Sequence, residues 1–266
     1  QRHNTHDTED TMKYDMITAL ALIEDKVQRL LNDDLKVLSR TYKLEVTDKT
    51  GFYTVGVNLS PAKEHMQFGG QRTSCAWATK CQFACLNKSG MNNMPTHVLT
   101  RVAKTLFLER YPAEFHAKVD AELRREMFRA SRRGFRLAAR MNLLSDRIKM
   151  ANAVASRHPT VQFNDYTASP VPLPGPDNMY RTYSRKETWT LEQVTGLVQR
   201  GLNVSVVFDV KRKAPLPTEW HGMRVIDGDV HDARWTDPAG VIVGLRLKGT
   251  KPSMQDARNS GFAVAV

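Results

Sequence analysis

All three cysteines of the chain, Cys75, Cys81 and Cys85, lie within eleven residues, spaced C-x5-C-x3-C. Thiols gathered this tightly point to a shared ligand rather than to scattered core positions. If the segment after Cys75 is helical, Cys81 and Cys85 fall on one face a turn apart, with Cys75 in the loop leading in. Three thiolates then converge near a helix N-terminus, where the dipole favours anionic sulfur. That arrangement suits a 4Fe–4S cluster with three protein ligands and one open iron. A zinc ion on the same thiolates needs a fourth ligand, for which His65, His97 and His231 are the candidates. Plain burial of the thiols is the third reading. Zinc sites more often use paired C-x2-4-C knuckles, and no second knuckle exists, so the cluster leads. An odd number of cysteines argues against a disulfide framework and for a reducing compartment.

A second set of polar residues gathers where strand-like runs end. Asn142 and Asp146 follow the run 135–141. Asp165 and Tyr166 follow 160–163. Ser184 follows 179–183, Asp209 follows 203–208, and Lys211, Arg212 and Lys213 come next. Asp227, Asp229 and His231 follow 223–226, and Lys248 follows 240–247. In parallel α/β folds ligands bind beyond the carboxyl ends of the strands. Asp165, Asp209, Asp227 and Asp229 are therefore read as the catalytic acids and bases. Asn142, Asp146, Tyr166, Ser184, His231 and Lys248 are read as substrate contacts. Ser145 or Asp146 could instead cap the following helix, and Asp227–Asp232 could be a polar turn.

These positions require a particular scaffold. Residues 15–32 read as a helix, with Ile17, Leu20, Val27 and Leu31 on one side and Ile23 and Leu30 at its margin. Strands over 42–47 and 52–59, joined through Gly51, read as a hairpin. Helices follow over 96–109 and after Pro112, the latter with an apolar stripe of Phe115, Val119, Leu123, Met127 and Ala130. Beyond Gly134, strands alternate with helices at 146–156 and 191–200. The stretches 211–222, 229–239 and 248–261 lack helical pattern and read as loops. The expectation is an α/β fold: an irregular or partial (β/α) barrel with an N-terminal helix and hairpin. Residues 1–14 read as a flexible leader, 15–266 as one domain, and 15–60 as a possible subdomain.

The chain of 266 residues carries a net charge of +11, with a pI near 9.7. Between Arg110 and Met150 stand eleven Lys/Arg against five Asp/Glu. Lys118, Arg125, Arg129, Arg132 and Arg133 share one arc of a helix, which is either a solvated face or a phosphate-contact surface. With Lys211–Lys213 they point to a nucleotide or nucleic acid as partner. No apolar run is long enough to span a membrane.

Several segments taken in order resemble an uncharacterised family of tailed-bacteriophage proteins. They are 51–54, 58–62, the cysteine block with Leu86-Asn87, Met141-Asn142 with Ser145-Asp146, 161–167, 225–229 and 241–245. The chain departs from that pattern at Ala76, at Leu143-Leu144 and at Ala168. The resemblance implies a viral origin and the host cytoplasm. More coarsely, three cysteines after an early strand followed by a partial barrel resemble the radical S-adenosylmethionine enzymes. Their usual spacing is C-x3-C-x2-C, and no Gly-Gly-Glu segment follows the next strand here. The expected function is an iron–sulfur enzyme modifying a nucleotide or nucleic acid, with S-adenosylmethionine as a candidate cofactor. The alternatives are a zinc-containing, transglycosylase-like base-modifying enzyme and a non-enzymatic nucleic-acid-binding protein.

Overall fold

A computed structural model describes residues 14–82, 85, 86 and 90–266. Its centre is a mostly parallel sheet. The strands are β1 (Leu38–Ser39), β2 (Phe52–Val57), β3 (Arg136–Arg140), β4 (Gln162–Thr167), β5 (Met179–Ser184), β6 (Asn203–Phe208), β7 (Glu219–Trp220), β8 (Met223–Asp227), β9 (Ile242–Arg246) and β10 (Ala263–Val264). Their order is β1-β2-β3-β4-β5-β6-β9-β8-β7, with β10 added alongside β6. Only the edge strands β1 and β7 pair antiparallel. The sheet does not close on itself. It is an irregular partial α/β barrel, as the alternation of elements implied.

The helices are α1 (Met16–Leu31), α2 (Tyr42–Glu45), α3 (Pro95–Arg110), α4 (Pro112–Arg132), α5 (Ile148–Arg157), α6 (Leu191–Gln199) and α7 (Lys251–Asn259). Alternation along β3 sends Leu137 and Ala139 into the main core with Phe115, Val119 and Leu123 of α4 and Val154 of α5. Arg140 has the opposite parity and faces the inside of the curved sheet. Each fully buried Phe, Val or Leu contributes roughly 1.5–3 kcal/mol. A second core joins Val194 and Leu197 of α6 to Val204, Val206 and Phe208 of β6.

Several sequence expectations are corrected. Residues 42–47 form no strand: α2 and a 3-10 turn, Val46–Thr50, occupy them, and Tyr42 is exposed. The partners of β2 are β1 and β3, so no hairpin exists. Gly51 does take positive φ, +82°, but it ends the 3-10 turn. The buried face of α1 is Ala19, Ile23, Val27 and Leu30, while Ile17 is 81% exposed. The strand expected at 160–163 runs on to Thr167, placing Asp165 and Tyr166 within it. The loop expected at 248–261 contains α7. This helix buries only Ser253 and Ala257, so it has no apolar stripe to read, but Thr250 caps it. The leader lies almost wholly outside the described residues.

The edge of the sheet is held by a buried polar knot. The Glu122 carboxylate of α4 accepts the backbone N–H groups of Val37 and Leu38 at 2.9 and 2.7 Å. Lys104 of α3, 5% exposed, donates to the Val37 carbonyl at 2.8 Å. Burial pushes the Lys104 ammonium down to about 8. Replacing Glu122 with Ala orphans two N–H groups, removes a carboxylate whose charge favours the Lys104 ammonium, and takes a partner at 3.8 Å from buried Lys118. Glu122→Ala is expected to cost about 3–5 kcal/mol in urea unfolding; a loss below about 1 kcal/mol would show that the knot does not secure the edge.

Candidate functional site

The carboxyl ends of the parallel strands surround a cavity of about 240 Å³. Arg140 of β3 enters it, followed by Asn142, Ser145 and Asp146. Tyr166 and Thr167 come from β4, Ser184 from β5 with Arg185 and Lys186, and Ser205 from β6. Arg246 comes from β9 with Lys248, and Asp229 from the loop before β9. The facing wall is Ala62, Cys75, Ala78, Cys81, Gln82 and Cys85. The two groups read from sequence, the cysteines and the strand-end polar residues, thus share one cavity.

The wall is bound to the sheet through the turn after β3. Cys75 forms an isolated parallel bridge with Asp146. The Asp146 N–H donates to the Ser74 carbonyl at 2.8 Å, and Arg147 reaches the Ser74 hydroxyl and Glu109 at 3.1 and 2.6 Å. Glu109 also accepts the Gln71 N–H at 2.9 Å. Farther along, the Lys80 N–H donates to Glu187 at 2.9 Å. The three cysteines are half-buried.

No α-helix carries the cysteines. Cys81 sits in a 3-10 turn, Lys80–Gln82, and Cys85 is not helical. The expected helix dipole is therefore missing. The Cys75 thiol is pushed up to about 12, by burial first, with Cys85, Asp146 and Cys81 adding repulsion against the Ala62 N–H that it accepts. Among the described residues, no three Cys, His, Asp or Glu side chains form a group able to hold a metal ion. His65, His97 and His231 all lie outside the cavity lining. His65 is fully buried against Glu109, and His231 lies against Arg234.

The Gene product 88 family model matches residues 32–265. The chain belongs to that family. The match covers the cavity, the second core and the main core apart from its α1 residues, and it agrees with the phage-type resemblance. No curated protein and no solved structure matches the chain, so the likeness to radical S-adenosylmethionine enzymes has no support from these comparisons. Among the described residues, no helix is long and apolar enough to cross a membrane.

Of the expected site residues of this family member, Cys75, Cys81, Cys85, Asn142, Asp146, Tyr166, Ser184, Asp229 and Lys248 line the cavity. Asp165, Asp209, Asp227 and His231 do not. Strand parity turns Asp165 to the helix side of β4, the opposite side from Tyr166. There it accepts the Asn142 N–H and side-chain amide at 2.9 and 2.8 Å. The Asn142 side-chain oxygen in turn accepts the Ser145 hydroxyl and the Arg147 N–H at 2.7 and 2.9 Å. Asp165 thus positions the turn that bears Asp146. Neither Ser145 nor Asp146 caps α5, which starts after Arg147. Asp209 pairs with Arg258 at 2.8 Å, and Asp227 with Arg246 at 2.9 Å.

The basic arc of α4 is only partly as expected. Lys118 is buried and pairs with Asp33, because its position faces the knot at Glu122. Arg125 also pairs with Asp33, and Arg129 with Glu126. Arg132 and Arg133, with Arg124, Arg125 and Arg129, border a groove around Phe128, which is 68% exposed. This groove adjoins the start of β2, since the Arg133 guanidinium lies 5.4 Å from the Tyr53 ring. It is therefore at the amino edge of the sheet, away from the cavity. Lys211, Arg212 and Lys213 are exposed on the carboxyl side, just past β6. Sequence reading noted Arg185 at a strand end but missed Arg140, Lys186 and Arg246 as site residues, although each lies in or follows an expected strand.

Burial raises Asp165 from its ordinary 3.8 to about 6, despite the Asn142 hydrogen bonds. A raised carboxyl stabilises the fold fully below about pH 4, and that contribution is lost as pH rises through about 6. The loss is on the order of 3 kcal/mol. Asp237 is likewise raised to about 6 by burial and adds to the same slope. For Asp165→Asn, the stability difference from wild type in urea is expected to change by that amount between about pH 4 and about pH 7. A pH-independent difference would mean that Asp165 does not titrate as a buried acid.

Proposed function

We propose that this Gene product 88 chain is an enzyme that modifies a nucleotide or nucleic acid, with Cys75, Cys81 and Cys85 holding a 4Fe–4S cluster. The reading rests on one observation: three cysteines form a wall of the same cavity that the cationic strand ends line. The donor set fits a cluster better than a lone ion. A zinc ion needs its ligands at one point, roughly 2.3 Å from each sulfur. Cluster thiolates bind separate irons, so they need only border a common volume. The bound cluster would supply one-electron chemistry and an open iron for a ligand.

The chain's own residues would bind and orient the substrate. Tyr166, Thr167, Ser184 and Ser205 offer a ring and hydroxyls, and Arg185, Lys186 and Lys248 offer positive charge. Asp146, raised above the ordinary carboxylate range by burial, is the acid–base candidate nearest in sequence to the cysteine wall's bridge. Its Oδ1 is buried with no hydrogen-bond partner. The arginine groove on α4 lies at the other edge of the sheet, which favours a mononucleotide over a polymer held across both.

Anaerobic purification with iron, sulfide and zinc determination tests the cluster. About four irons and four sulfides per chain are expected, with the broad visible absorption of a cluster, and S-adenosylmethionine is the first ligand to titrate. Cys75→Ser, Cys81→Ser and Cys85→Ser should each lose that absorption and the activity while remaining folded. A colourless chain with about one zinc, unfolded by each substitution, would replace the cluster with a structural metal.

A further inference from the structure

The cavity holds five cations, and their neutralisation is uneven. Arg140 pairs with Asp232 at 2.8 Å, Arg246 with Asp227 and Asp229 at 2.9 and 3.1 Å, and Lys248 with Asp229 at 2.5 Å. Arg185 and Lys186 have no such partner. Arg185 donates to the carbonyls of Gly261 and Phe262 at 2.9 and 3.3 Å. Lys186 is 8% exposed and lines the cavity, and among the described residues its ammonium makes no hydrogen bond and no ion pair. Its ammonium lies 5.4 Å from the Phe262 ring. Asp146 and Glu187 feel its charge from beyond ion-pair distance. Asp146 takes the Ala168 N–H, and Glu187 the Lys80 N–H, both at 2.9 Å.

A buried ammonium without a counter-ion is costly, and a bound anion removes that cost. Two residues before Lys186, the Ser184 hydroxyl accepts the Ser205 hydroxyl at 3.2 Å, and both serines line the same cavity. We propose that Lys186, Arg185, Ser184 and Ser205 form the subsite for a phosphate group of the substrate. Two adjacent cations and two hydroxyls offer more donors than the two oxygens of a carboxylate can use. They match the terminal oxygens and double charge of a phosphate monoester. The assignment rests on this cavity being the substrate site, and it names the substrate class as a phosphorylated small molecule.

The test is calorimetric titration and thermal melting of the full chain with inorganic phosphate, a nucleoside 5′-monophosphate and succinate. Wild type should melt higher with either phosphate, and succinate should bind more weakly. Lys186→Met keeps the stem and removes the charge. It should weaken phosphate binding about tenfold or more, while melting no lower than wild type without ligand. Ser205→Ala should weaken binding less. Unchanged phosphate affinity in Lys186→Met, or a lowered melting point with binding intact, would make Lys186 structural and overturn the subsite. Tighter binding of succinate would assign the subsite to a carboxylate instead. A chain that holds no iron yet binds phosphate through Lys186 sinks the cluster alone. An iron-loaded chain indifferent to phosphate sinks the subsite alone.

Discussion

The ion pair between Arg140 and Asp232 holds together what an open sheet would leave apart. Arg140 is 8% exposed and Asp232 is 1% exposed. A sheet that fails to close leaves the inner face of its strands in need of cover. Here the loop between β8 and β9 crosses that face. The Asn164 side-chain amide donates to the Asp232 carbonyl at 3.2 Å, and Trp235 meets Phe52 edge-on at 4.9 Å. Arg140 also lies 4.5 Å from the Tyr166 ring centre and donates to the Asn142 carbonyl at 3.2 Å. One guanidinium therefore touches β3, β4, the crossing loop and the turn behind the cavity. Removing the Asp232 charge would leave Arg140 buried without its ion-pair partner, typically a loss of roughly 3–5 kcal/mol.

The two edges of the sheet have different electrostatic characters. At the amino edge, arginines of α4 lie over aromatic rings and around exposed Phe128. At the carboxyl edge, cations are matched to carboxylates by position. Asp227 and Asp229 engage Arg246 and Lys248, which leaves the charge beside Ser184 uncompensated. The acids expected to do chemistry are thus mostly occupied in shaping the field. Asp146, expected only as a substrate contact, is instead a carboxyl with one buried oxygen still unpaired.

Much of the scaffold was legible because its signals are local. The strands β3, β5, β6, β8 and β9 announce themselves as apolar runs, and Thr190 with Gln193 forms the capping box expected of a helix start. The readings that failed needed tertiary information. Whether 42–47 pairs as a strand depends on β2 finding partners at 38–39 and 136–140. The length of β4 was hidden because its polar end, Asn164 to Thr167, pairs with β5. That one extension changed the role of Asp165, since a residue inside a strand has a side, and parity turned it away from the cavity. Lys186, Arg140 and Arg246 were passed over because single arginines and lysines carry no pattern. Only the distance to a carboxylate separates Lys186 from Lys248.

The order in which the wall of the cavity acquires its supports has a consequence for synthesis. Cys75 emerges from the ribosome long before its bridge partner Asp146. Lys80 waits longer for Glu187, and the turn at Lys80–Gln82 touches α7, which is made later still. Chains are assembled from the N-terminus and domains settle as units. The thiols therefore remain accessible until α7 has been made. Chain elongation itself sets a period during which anything destined for that wall can be delivered, and after which it must pass through a finished cavity.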